Sequence, residues 1–547
     1  MDTLQPSHLL ALPAELINHI LTFLRPVDLA TTSQTCRLLR DHAYDDTLWY
    51  PFVQSSVPGQ VLPRPSSSPS PSWSTSPSYR AIYASHHPHW FLPQHKLWFA
   101  DTAHTGKLLI ARYDPRTNTI AAYALVAERG EHEFELWEHN NDVIIHTFAP
   151  KVQLDLNQPV LKLSPHAWAR ADSESWQGKG MRYQREIRMD CHGGSPAHQG
   201  IHSTFILARA LPADQIRPTT QVWPPLLIPA AERVRNESHD HQYRSTGHRP
   251  TSLSEVSTST FRLRRWMEFS AHANNAVFAV PPAHQDAFAA HPGIGAALNG
   301  LATLIARHAG GVSLRMGEDV ATYATLPAEL YTPTKTKPYQ GIWVGDYSGH
   351  GCEFLIITQP DRPGPLPYKA ETTLRRVRDR GGSMSSQDSW ESVGAGSASS
   401  SAAAEEEDAD EETSDDEEGG AQEGPVGPGF SAPRAREEKP RKEEECKGRL
   451  EAIKLTGDPN IPRGEYTFIV PEIGDAGLLR VAREATFRGA RVVRSVGHVA
   501  AHGFRDDEFI PSQLILISHD RLAQYWESFG HVSFYERVDI DKFLAVE

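Results

Sequence analysis

Near residue 95 the spacing of apolar residues changes from a helical to a strand period, and that change constrains the fold more than any other feature of the chain. Ahead of it, Leu16, Ile17, Ile20, Leu21 and Leu24 lie at i, i+1, i+4, i+5 and i+8, one apolar stripe along a helix. Pro13 suits the first turn of that helix, where its missing N–H has no intrahelical partner to lose. Arg25-Pro26 ends it, because the residue before a proline is pushed out of the α region. Asp28 is placed to cap a second helix by accepting from free backbone N–H groups. Leu29, Cys36, Leu38, Leu39, Leu48 and Trp49 supply further contacts, giving three short helices. So small a module buries too little surface to be robust alone and is expected to need a partner.

Residues 58–78 are rich in Pro and Ser and read as an extended linker or insertion. Beyond them 96–99, 107–113 and 119–123 are β-like runs, the last two joined by the turn Asp114-Pro115-Arg116-Thr117-Asn118. Residues 134–137 and 143–146 continue the meander. The stretch 212–258 reads as a loop-like insertion and 261–310 as helical, with Phe261, Arg264, Arg265, Trp266 and Phe269 at mixed spacing before an Ala-rich 286–308. Strands resume at 341–345 and 353–357, then at 450–455, 466–470, 492–496, 513–517 and 532–538. Between them, 381–447 is Ser/Gly-rich, then acidic, then of mixed charge, too polar to order itself. The expected class is α+β: an N-terminal three-helix module followed by a large, mainly antiparallel, barrel-like β domain with helical insertions. A barrel fits so many short strands because closure removes exposed edges.

The 547 residues carry a formal charge of −14, but eleven acids fall within 405–418, and without them the charge is −3. The remainder therefore offers no basic surface for nucleic acid. No run of eighteen apolar residues is present, so no membrane span is expected, and the N-terminus lacks the pattern of a secretory leader. Cys36, Cys191, Cys352 and Cys446 are widely separated with no CxxC, which fits a reduced compartment, cytoplasmic or nuclear. GxSxG, HExxH and GxxxxGK[ST] are all missing, so no catalytic residue is expected. Three histidine clusters contain ligand types at loose spacing: His86-His87-x-His89, Cys191-His192 with His198 and His202, and His239-Asp240-His241 with His248. None matches a recurring zinc spacing, so neither metal nor cofactor is expected. Thr413-Ser414, ahead of four carboxylates, fits an acidophilic kinase site, though a solvated spacer accounts for the same run.

The run Leu12-Pro13-x-Glu15-Leu16, Ile20-Leu21-x-Phe23-Leu24, Pro26-x-Asp28-Leu29, continuing through Cys36-Arg37 to Trp49, closely resembles an F-box. The resemblance implies docking on a Skp-type adaptor that joins a cullin ubiquitin ligase core, an apolar helix face being buried by the partner. Leu12, Pro13, Leu16, Ile20, Leu21 and Leu24 are the implied adaptor face, with some of them packing inside instead. Three distal blocks resemble the F-box only protein 31 family and its fungal relatives: Gly345 to Phe354, Ile453 to Gly464, and Gly497 to Phe504. A closing segment through Tyr525-Trp526 and Ser533-Phe534-Tyr535 also fits. That family implies a barrel-like domain that captures C-terminal tails of protein targets, D-type cyclins among them.

Read from their chemistry, the blocks make a polar pocket rim. Lys454 offers a cation, and His350 and His502 donors or acceptors. Tyr347, Phe504 and Trp526 offer apolar walls with polar edges, and Thr456, Asp458 and Asn460 sit in turn chemistry that also serves to close a barrel rim. Phe354 and Ile356 are expected in the core. The expected divisions are an F-box at 8–54, a linker at 55–79, the β-rich substrate domain at 80–380 and 448–547, and an acidic insert at 381–447. The function implied is substrate recognition for a ligase without catalysis by the chain itself. The alternative is an F-box scaffold without ligase output.

Overall fold

A computed structural model describes residues 8–65, 77–102, 106–131, 133–167, 170, 182–189, 191, 201–217, 221–236, 248–271, 312–347, 350–381 and 447–546. After a 3-10 turn at His8–Ala11, the N-terminal module contains four helices rather than three: α1 (Ala14–Leu21), α2 (Pro26–Thr32), α3 (Arg37–Ala43) and α4 (Asp46–Ser55). The extra helix starts at Asp45, whose carboxylate accepts from the Thr47 N–H at 2.9 Å. Pro26 is the first residue of α2 and Arg25 its cap, so Asp28 lies inside the first turn, 2.9 Å from the Arg25 guanidinium, and does not cap the helix. Ile17, Leu21, Leu29, Leu39, Ala43, Leu48 and Trp49 form the core of this module, and the Trp49 indole N–H donates to the Ala43 carbonyl.

The module is not loosely tethered. Leu62, within the Pro/Ser-rich stretch, is buried, and the Gln60 amide donates to the carbonyls of Tyr113 and Leu544. Helices α5 (Tyr79–His86) and α6 (Phe91–His95) then carry the chain onto the sheets. Tyr83 of α5 packs its ring against Trp49 and Phe52 on one side and Trp90 on the other, linking two cores.

The strands begin with β1 (Leu97–Asp101), β2 (Leu108–Asp114), β3 (Thr119–Glu128), β4 (Phe134–Trp137), β5 (Asn140–His146), β6 (Lys151–Leu154) and β7 (Leu161–Leu163). They continue with β8 (Ile187–Arg188), β9 (Ile201–Arg209), the short pair β10 (Val222–Trp223) and β11 (Val234–Arg235), β12 (Val256–Ala271) and β13 (Val312–Thr325). Among the described residues, one sheet runs β6-β3-β2-β1-β13-β12-β9-β8, with β7 also on β3. Residues 261–271 are thus strand, not helix, paired along β13 from Thr260↔Ala324 to Ala271↔Val312. Phe261 and Leu263 face the core while Arg262 is buried on the opposite side and donates to the Arg235 carbonyl. Both faces of β12 are covered, which hides the alternation a half-exposed strand would show. The Ala-rich 286–308 lies outside the described residues.

The second sheet holds β14 (Gly341–Asp346), β15 (Cys352–Thr358), then, after α7 (Tyr368–Gly381), β16 (Leu450–Lys454), β17 (Tyr466–Val470), β18 (Leu478–Val481), β19 (Arg491–Ala501), β20 (Arg505–Leu516), β21 (Arg521–Trp526) and β22 (His531–Val538). β14, β15, β16, β17, β19, β20, β21 and β22 pair in sequence, and β22 returns to β14 through Ile342↔Val538 to Gly345↔Tyr535, closing an eight-stranded antiparallel barrel. Helix α7 seats Ala370 and Leu374 on Ile469, Val496 and Phe509 of its wall. The β4–β5 hairpin does not continue the first meander: it joins the barrel sheet beside β22, where Ile144 pairs with His531 in parallel. Val143, Ile145 and Trp137 on its inner face explain this, since they bury into the core shared by the two sheets.

Candidate binding sites at the barrel mouth and on the helical module

Strand alternation divides each barrel residue pair between wall and lumen. Ile342, Val344, Phe354 and Ile356 point outward into the core between the sheets, while Trp343, Leu355, Ile357, Phe468, Val493, Leu514, Leu516 and Leu522 fill the lumen. Toward the end where β14 and β16 finish and β15, β17 and β22 begin, the lining turns polar. Tyr535 donates to the side-chain amide oxygen of Gln524 at 3.0 Å, the Gln524 side-chain NH2 to Ser512 at 3.1 Å, and Ser512 and Ser495 share a hydrogen bond at 2.8 Å. The Trp526 indole N–H donates to Ser533 at 3.0 Å. All of these side chains are buried. They form a polar floor above the apolar plug.

Lys454 lies at the same end. Its ammonium is buried, 2.8 Å from the Glu353 carboxylate and 2.5 Å from that of Asp458, and 4.3 Å from the centre of the Tyr347 ring. The two carboxylates are not equivalent. Asp458 also accepts from the N–H groups of Asn460 at 2.6 Å and Ile461 at 2.7 Å. Burial works against its charge, but Lys454 and these donors hold its pKa below the usual carboxylate value. Burial dominates at Glu353 and pushes its pKa up to about 8, against the pull of Lys454. One ammonium between two buried carboxyls thus leaves Asp458 ionised and Glu353 holding a proton at neutral pH.

The structure brings most of the sequence-nominated residues to this mouth but gives them different tasks. Tyr347 lines the lumen and shares a hydrogen bond with Thr467 at 2.7 Å. Thr456 accepts from the Phe354 N–H, and the Asn460 amide donates to the Ala500 carbonyl, so both build the rim. Trp526 is in the lumen, its ring so close to Gly497 that a Cβ there would stand 2.2 Å from it. His350 and His502 are exposed at the rim, and Phe504 is half-buried with its ring 5.8 Å from that of His498. Ser348 and Gly349 lie outside the described residues. Glu353, Ser495, His498, Ser512, Gln524 and Ser533 were not singled out by sequence. The missing signal was the phase of alternation: all but His498 share a strand face with a lumen residue two positions away, whereas His498 faces the outer wall with Val496 and stacks on Phe509.

On the helical module the six nominated residues separate. Leu21 is core, Leu12 and Leu24 are half-buried against that core, and Leu16, Ile20 and Pro13 are exposed. Phe23, 76% exposed, and Val27 extend the apolar surface beyond the nominated set. Only part of the three histidine clusters falls among the described residues. His86 bonds to Asn118, His89 is buried with its pKa lowered to about 3 chiefly by desolvation, and Cys191 is buried with its thiol on the Val160 carbonyl. Among the described residues no group of three metal-ligating side chains converges, and no helix is long and apolar enough to cross a membrane. His192, His198, 239–241 and the Thr413-Ser414 pair lie outside the described residues.

A small helical module is thus joined to a closed antiparallel barrel whose mouth is lined by polar side chains. Residues 9–55 match the family described as F-box-like, and residues 323–542 match that described as Cyclin D1 binding domain. No curated protein matches the chain.

Proposed function

We propose that this chain is the substrate-recognition subunit of a cullin ubiquitin ligase of the SCF type. The observation that carries this reading is the unburied apolar face of α1 and its following turn, Leu16, Ile20 and Phe23, on a chain whose other end is a barrel with a polar mouth. An apolar face of this kind is stabilised by a partner that buries it, here a Skp-type adaptor. In this reading 8–54 dock, 80–380 and 448–547 select the protein target, and 55–79 and 381–447 connect and interrupt. The mouth admits the target's C-terminal tail, whose terminus meets the polar floor and whose last side chains meet Tyr347 and Trp526. The chain contributes proximity, raising the effective concentration of target lysines at the conjugating enzyme, and no bond-making of its own.

Co-expression with a Skp-type adaptor followed by affinity purification of the full chain tests the docking half: the adaptor is expected to co-purify and to be lost from Leu16→Asp/Ile20→Asp. Removal of 8–54 is expected to lengthen target half-lives. Unchanged half-lives with the adaptor still retained by the intact chain would instead identify a scaffold without ligase output.

A further inference from the structure

The β4–β5 hairpin carries an apolar surface that the tail-capture reading does not use. Phe134 is 68% exposed, Leu136 63% and Ile144 48%. They lie on one face, because Leu136 pairs with Ile144 and Phe134 with His146. Their neighbours along the strands, Trp137, Val143 and Ile145, point the other way and are buried. Ile144 in turn pairs with His531, and His531 shares its strand face with Ser533 and Tyr535, which line the lumen. The exposed face is therefore the lumen-side face of the barrel wall, continued past the mouth. At this level β14 has ended at Asp346 and β5 takes its place beside β22, pinned by an ion pair between Arg129 and Asp346. Phe529, in the turn between β21 and β22, adds a further exposed ring at the same end.

The charged side chains of the hairpin itself have one sign: Asp142 shares the strand face of Ile144, and Glu133 and Glu135 alternate onto the opposite face. Glu131, Glu133, Glu135, Glu138 and Asp142 are all exposed, and 130–146 contains no Lys or Arg. Glu135 and Glu138 touch Thr486 and the Ala485 N–H, while the carboxylate charge of the hairpin stays uncompensated by any cation of its own. We infer that the hairpin is an apron along which the target polypeptide runs after leaving the mouth, and that it takes an extended segment with apolar side chains flanked by Lys or Arg. The inference rests on the tail-capture reading and adds specificity to it: the mouth reads the terminus, the apron the sequence just upstream. Alternate residues of an extended chain face the same way, which suits a face built from cross-strand apolar pairs.

The test uses the full chain with its adaptor and two pools of random peptides, one ending in a free C-terminus and one whose C-terminus is fused to a carrier protein. Phe134→Ser/Leu136→Ser changes only exposed side chains and leaves the fold intact, checked by an unaltered melting temperature. From the free-terminus pool, the unaltered protein is expected to select tails with apolar and basic residues upstream. Those long peptides should lose roughly tenfold in affinity on the double variant, as two apolar contacts are removed. The same peptides trimmed to their last few residues should bind both proteins equally. Equal binding of the long peptides to both proteins would overturn the apron. Binding from the carrier-fused pool that depends on Phe134 and Leu136 would keep the apron and reject tail capture, and no binding from either pool would reject both. Stronger binding by the variant would mean that a segment of this chain covers the face. A concentration-dependent dimer lost in the variant would mean that a second copy does. Either result overturns the proposal.

Discussion

Lys454 shows how a single side chain can be both buried and indispensable. Its ammonium is fully enclosed, so the desolvation cost is high, and it is offset chiefly by the Asp458 carboxylate, with the Glu353 carboxyl also in contact. Lys454→Met is expected to cost about 3–5 kcal/mol, because it leaves the Asp458 carboxylate partly buried without its cation. Chemical denaturation of the full chain at neutral pH measures it. Glu353 adds a pH dependence with a definite sign. Its carboxyl titrates near the ordinary 4.5 when unfolded and near 8 when folded. Between those values the folded state keeps a proton that the unfolded state has lost, so stability falls as pH rises across the window and levels off above it. Glu353→Gln is expected to flatten that part of the stability curve; an unchanged slope across the window would mean that Glu353 is ionised in the fold. Leu21 and Leu16 make a contrasting pair on α1. Leu21→Ala is expected to destabilise the module by about 2–5 kcal/mol as a core truncation, whereas Leu16→Ala alters adaptor binding with little change in melting temperature. The stripe at helical spacing placed both residues on one helix, but which side a neighbour covers is decided by α3 and α4, and period alone carries no such information.

At the scale of elements, the barrel owes its mouth to two glycines. Gly497 lets the Trp526 ring lie against the β19 backbone, and Gly345 does the same for Tyr535, whose ring carbons would stand 2.7 Å from a Cβ. Gly497→Ala is therefore expected to force Trp526 out of its place, at about 1–3 kcal/mol, and to break its hydrogen bond to Ser533. A fall in melting temperature with a shift in tryptophan fluorescence would report this. Two kinds of element were legible in the sequence: the amphipathic stripe of α1, and short apolar runs bounded by turn residues, such as β2 with its turn into β3 and the barrel strands β14 and β15. Helix α7 escaped, although Ala370, Leu374 and Val377 follow helical spacing, because its surface is crowded with Arg and it runs straight into a polar segment. β12 was misjudged because Arg262, Arg264 and Arg265 break its apolar run, Arg262 being buried among apolar neighbours. The three sequence blocks reached the same mouth because each spans the end of a strand and the turn after it, where glycine and polar turn residues are needed to reverse the chain. Their roles were less legible, since Thr456 and Asn460 spend their hydrogen bonds inside the rim.

For the whole molecule, the proposed function depends on the helical module and the barrel keeping a fixed relation. Tyr83 bridges the two cores through Trp49, Phe52 and Trp90, and Gln60 ties the connecting chain to Leu544 at the far end of the sequence. Under the proposed function, a target held at the mouth would be presented at a constant distance from an adaptor bound to α1, as action by proximity requires. The acidic run that dominates the net charge stands apart from this framework in sequence, between α7 and β16. The central claim is that docking and capture serve one outcome. The most direct measurement is proteome-wide protein half-life in cells that carry, in place of the native chain, either Leu16→Asp/Ile20→Asp or a barrel-mouth variant, Tyr347→Ala. Both are expected to stabilise the same small set of proteins, and tail peptides of that set should bind the unaltered chain. Half-lives unchanged in both, or two sets with no member in common, would contradict the account.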